Sequence, residues 1–125
     1  MTEPVTIPAA GSVPCTLEEV LYFVSKYYPF TSARYPGLRP DGGTGNIAPG
    51  GVLDHCLMHL EKSTIGPLAG LVEGYHHAGK LSENAREEVL TALAKALVNI
   101  SSIAGTFDID AKELCHAVPT VMKIS

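Results

Sequence analysis

His55, His59, Glu73 and His77 would project within about 40° of one another on a straight helix of 3.6 residues per turn. Histidines four residues apart share a helix face and can hold a metal such as zinc, so His55 and His59 form a candidate metal pair. Two features oppose that reading: Lys62 stands in the same row, and Pro67 would turn Glu73 and His77 away. Solvated or core-satisfied histidines are the simpler expectation. Glu61 differs, because Leu57, Ile65 and Leu68 surround it at helical spacing. A carboxylate within an apolar stripe is costly unless paired. It is either a functional acid or an edge residue that reaches water, and the edge is the commoner case.

Three other groups could do chemistry. The glycine-rich run from Gly42 to Gly51 could cradle phosphate with backbone amides, but it lacks a P-loop's lysine-then-hydroxyl ending and follows no strand, so it reads as a connector. Cys56 has histidine neighbours in sequence but no context that would activate it, and it reads as a small buried hydrophobe. Tyr27, Tyr28, Phe30 and Tyr35 could stack on a base, though such clusters more often seal the end of a core.

The elements that must position these groups follow from periodicity. Met1 to Pro14 carries three prolines and little apolar pattern, and is expected to be a flexible arm. Thr16 and Glu19 have capping-box spacing, and Leu17, Val20, Leu21 and Val24 recur as one face of a first helix that ends near Tyr28. Residues 30–51, rich in proline and glycine, form a long connection. A second helix from Gly51 to His77 would place Leu53, Leu57, Leu60, Thr64, Leu68, Leu71 and Tyr75 on one face, with a kink at Pro67 and a stop at Gly79. Asn84 and Glu87 suggest another capping box before a third helix, whose core stripe would be Val89, Leu93, Ala96, Leu97, Ile100 and Ile103. Asp110 and Glu113 open a short last helix bounded by Val118-Pro119. No stretch shows a convincing strand period. The expected fold is therefore all-α, an antiparallel four-helix bundle-like domain over residues 15–125 with two long core helices. In so short a chain, a homodimer would complete the core.

Composition narrows the function. With 125 residues, 46% hydrophobic, 18% charged and a net charge of −4, the chain suits one soluble domain. No basic surplus favours nucleic acid or anionic lipid, and the uncharged run Ala96 to Phe107 is shorter than a membrane span. Three unpaired, widely spaced cysteines and no signal-like N-terminus point to a reducing cytoplasm.

The run His55-Cys56-Leu57-Met58-His59-Leu60-Glu61-Lys62-Ser63, followed by Gly66, Leu68-Ala69, Glu73 and His76-His77-Ala78-Gly79, resembles the first long helix of MazG-like proteins. The third helix with Phe107-Asp108-Ile109-Asp110 and Glu113-Leu114 is similar to the second core helix and closing turn of that all-α nucleoside triphosphate pyrophosphatase superfamily. The resemblance covers about residues 50 to 117. It implies an oligomer that binds a nucleoside triphosphate through Mg2+ held by paired acids on both long helices. Magnesium prefers hard oxygen ligands and neutralises phosphate charge while water attacks. Here the first pair falls at Thr64 and Pro67, neither a carboxylate; Glu88 matches on the third helix, but Thr91 stands where an aspartate is expected.

The resemblance thus leaves Glu61 and Glu88 as candidate metal ligands, with His55 and His59 the alternative, and Lys62, Glu73 and Lys95 as candidate substrate contacts. No catalytic residue is assigned and no cofactor beyond magnesium is implied. Two functions follow: a nucleotide-binding protein, at most a magnesium-dependent pyrophosphohydrolase with a degenerate site, or a catalytically inactive helical oligomerisation module.

Overall fold

The structure, a computed structural model, describes residues 13–124; the expected arm over 1–14 lies outside the described residues apart from Val13 and Pro14. The fold is all-α. The helices are α1 (Leu17–Tyr27), α2 (Pro49–Leu60), α3 (Gly66–Ala78), α4 (Ala85–Thr106) and α5 (Ala111–Val121). A π-helical turn, Glu61–Ile65, joins α2 to α3 without a break, so the chain forms four helical rods.

Two of the capping boxes form as their spacing requires. The Glu19 N–H donates to Thr16 Oγ1 at 3.1 Å, and Glu19 Oε1 accepts from the Thr16 N–H at 3.0 Å. Asp110 and Glu113 repeat the arrangement at the start of α5. Asn84 does not: its side chain makes no cap bond at α4. Helix α5 also runs through Pro119 to Val121 rather than stopping before it. A proline that near a C-terminus breaks little of the remaining helix.

The long connection is more ordered than its composition suggests. Antiparallel bridges pair Thr31 with Asn46 and Pro40 with Ile47, and among the described residues there is no longer strand. The Ser32 N–H donates to the Gly45 carbonyl at 2.9 Å, and the Ile47 N–H to that of Phe30 at 3.1 Å. Gly45, at φ 81°, turns the chain in a left-handed conformation that a side chain would resist. The result places Ile47, Val52 and Cys56 in one buried cluster, against which Phe30, Tyr35, Leu38 and Ile103 pack. The second rod accordingly starts at Pro49, a first-turn proline.

Just before Pro67, where a kink is expected, the chain forms the π turn. Proline has no N–H for the carbonyl four residues back, and the chain accommodates this by widening the preceding turn. The Gly66 N–H donates to the Glu61 carbonyl, five residues back. A Cβ at Gly66 would sit 3.2 Å from that same oxygen, which explains why glycine suits the position. Gly79 closes α3 in a left-handed conformation, φ 72°, with its N–H donating to the Tyr75 carbonyl.

Helix α4 runs antiparallel to the second rod: Ile103 packs near Val52 and Cys56, while the Thr64 hydroxyl donates to the Ala92 carbonyl at 2.8 Å. Helix α4 also packs on α1, and α1 touches α5. The residues α4 buries are small: Ala85, Ala92, Ser101 and Ala104. Small side chains let helices approach closely, and the large ones are left outside. Leu93, Leu97 and Ile100, expected in the core, are 54%, 38% and 42% exposed, and Leu90 is 59% exposed. Helix α4 is, by length and composition, the one described helix long and apolar enough to cross a membrane.

Candidate functional site

Of the recesses along α4, two hold candidate site residues. The larger, about 790 Å³, lies between α3 and α4, where Gly70 and Gly74 leave room and Glu87, Glu88, Thr91 and Lys95 supply the polar groups. The smaller, about 350 Å³, lies where α2 and the π turn meet α4 near the end of α1. Tyr28, His55, His59, Ser63, Lys95, Val98 and Asn99 line it. Ser63 and Lys95 border both recesses.

The sequence candidates divide between these places. Glu88 lies in the larger groove, and Glu61 does not line it. Glu61 and Lys62, both in the π turn, are exposed. Glu73 is exposed on α3, with one carboxylate oxygen 4.0 Å from Nε2 of His77. The row of four expected on a straight helix therefore splits: His55 and His59 stay together, ring centroids 4.4 Å apart, while Glu73 and His77 pair separately. The physical reason is distance along the axis: His59 and Glu73 are 14 residues apart, which at a rise of 1.5 Å per residue is about 21 Å even on a straight helix. Among the described residues, no three His, Cys, Asp or Glu side chains come together as a metal ligand set. Thr64, at a position where the family resemblance places an acid, holds α4 through its hydrogen bond to Ala92.

The smaller recess is electrostatically one-sided. No carboxylate lines it, and among the described residues Lys95 forms no ion pair. The Arg34 guanidinium stacks 4.4 Å from the Tyr28 ring centroid, adding positive charge behind that wall. Phe30 and Tyr35 stack with centroids 4.7 Å apart and both meet His55 edge-on. Burial pushes the Tyr35 hydroxyl up to about 12, helped by its hydrogen bond with Tyr28. Desolvation, and then the charge of His59, hold His55 below its ordinary value. Cys56 is fully buried and its thiol is pushed up to about 11, so it is a packing residue rather than a nucleophile. Ser63 and Asn99 are the residues that sequence reasoning missed. Their signal was same-face spacing, Ser63 four residues after His59 and Asn99 four after Lys95.

The depressed His55 value fixes a pH dependence. As pH falls through about 6.5, the unfolded chain takes up the proton before the folded one does. The contribution of His55 to stability is therefore complete above that pH and declines below it, toward its lowered folded value. Urea unfolding between pH 7.5 and 5 should show wild-type stability falling, with a shallower fall in His55→Gln. An identical slope in the variant would contradict the assignment.

Compared with protein-family models, curated proteins and solved structures, the chain matches none.

Proposed function

We propose that this chain is a MazG-like helical module that works by self-association, two copies completing one bundle. The observation that carries this reading is the outer face of α4. Leu90, Leu93, Leu97 and Ile100 are spaced by three, four and three residues, the a/d repeat of a coiled-coil seam, and all are exposed in the single chain. The second rod presents Met58, Ile65 and Val72 at seven-residue intervals, also exposed. Water-facing leucines in this repeat gain their burial from another helix. A second copy offers the same pattern. Sedimentation equilibrium should give twice the 13.2 kDa chain mass at micromolar concentration. A strictly monomeric protein, or one that leaves solution for lipid vesicles through α4, would overturn this reading.

The larger groove favours a second reading, that the module holds a nucleoside triphosphate. Its volume of about 790 Å³ suits a ligand of that size. Magnesium fits less well. Glu87 and Glu88 are the carboxylates that line the groove, and Lys95 opposes a cation there. That donor set falls short of what holds magnesium beside a triphosphate, so the groove offers no hydrolytic centre. Thermal unfolding with magnesium and a panel of nucleoside triphosphates separates the readings. Ligand at 100 times its dissociation constant adds about 2.7 kcal/mol, a rise of several degrees. A rise with nucleotide would establish the second reading, and no rise would leave the association module.

A further inference from the structure

We propose that the recess lined by Tyr28, His55, His59, Ser63, Lys95 and Asn99 binds a phosphate group. The argument starts from what lines it: two imidazoles, an ammonium, a hydroxyl and a side-chain amide, with no carboxylate among them. That is a set of hydrogen-bond donors drawn from α2, the π turn and α4. It exceeds what the two oxygens of a carboxylate can use and suits the three or four oxygens of a tetrahedral anion. The Asn99 amide donates to the Lys95 carbonyl at 2.9 Å, which ties the two α4 contributors to each other. Lys95 has no carboxylate partner among the described residues, so its charge is available to an anion. Arg34, behind Tyr28, strengthens the positive potential. A metal cation at His55 and His59 would be repelled by Lys95, whose charge has the same sign.

Tyr28 gives the recess one aromatic wall, and about 350 Å³ leaves space for a small organic group on the phosphate. The site is independent of self-association. On a helix of 3.6 residues per turn, Lys95, Val98 and Asn99 lie on roughly the opposite side of α4 from Leu90, Leu93, Leu97 and Ile100. A dimer formed through that seam leaves the recess open, and a monomer has it too.

Titration calorimetry of the full chain with inorganic phosphate and with phenyl phosphate tests the proposal. Saturable binding is expected. It should weaken about tenfold or more in Lys95→Gln and weaken in His59→Gln, while Lys112→Gln, which removes an exposed cation on α5, binds as wild type. Thermal melts establish that each variant is folded. Tighter binding of phenyl phosphate, lost in Tyr28→Leu, assigns a phosphomonoester, whereas equal binding of the two anions assigns the free ion. The proposal is overturned if neither anion binds at millimolar concentration, if folded Lys95→Gln binds as wild type, or if zinc alone saturates the histidines.

Discussion

If two copies associate through the α4 seam as proposed, replacing Leu93 and Leu97 together by glutamate will leave a monomer. Both leucines lie in the exposed a/d repeat of α4, at 54% and 38% exposure, and neither is in the buried cluster around Cys56. Burying a leucine is worth about 1.5–3 kcal/mol. About half of each side chain is already covered in the single chain, so the four leucines that a symmetric pair of helices buries at these two positions contribute about 3–5 kcal/mol before charge repulsion is counted. Each 1.4 kcal/mol is tenfold, and the dissociation constant should rise by about 100-fold or more. Because the single chain leaves these positions in water, far-ultraviolet circular dichroism should still show a helical chain. Sedimentation equilibrium of the double variant checks the outcome. Persistence of a dimer would move the interface elsewhere.

The second large effect concerns stability. Ile47 is 4% exposed and is the loop residue that enters the cluster with Val52 and Cys56. Truncation to alanine removes that packing and leaves a cavity, at a cost of about 2–5 kcal/mol. The fall in unfolding temperature should be on the order of 10 °C. Ile47→Val should cost only about 0.5–1.5 kcal/mol. Calorimetric unfolding of both variants gives the order, and a negligible loss in Ile47→Ala would mean that the connection does not pin the fold. Gly51 belongs to the same contact, since a Cβ there would stand 3.1 Å from Cγ2 of Ile47.

Local signals in the sequence were good guides wherever a backbone hydrogen bond decides the outcome. Thr16 with Glu19 and Asp110 with Glu113 mark two helix starts, because a short side chain reaching a free N–H needs no tertiary help. Gly79 marks the end of α3 for the same local reason. Asn84 fails as a cap although its spacing with Glu87 is correct, since spacing cannot fix the side chain's rotamer. Pro67 signals a disturbed helix, but that the disturbance takes the form of a π turn depends on Gly66 allowing close approach to the Glu61 carbonyl.

The face of α4 was the harder problem. Its apolar residues nearly surround the helix, so periodicity alone cannot say which side meets α1 and α2. Packing buries the small residues Ala92 and Ala104, which permit close contact, and leaves Leu90, Leu93 and Leu97 outside. The order in residues 30–48 was equally hidden, because it rests on bridges between residues up to 15 apart. For the site, His55, His59 and Lys95 were visible as chemistry, but their sharing of one recess depends on the docking of α4.

Self-association through the α4 seam is most directly tested by nuclear magnetic resonance on an equal mixture of 13C-labelled and unlabelled protein, recording only contacts between copies. Methyl contacts from Leu90, Leu93, Leu97 and Ile100 of one copy to the same residues, or to Met58, Ile65 and Val72, of the other are the predicted result. No contact between copies, or contacts confined to α1 and α5, would contradict it.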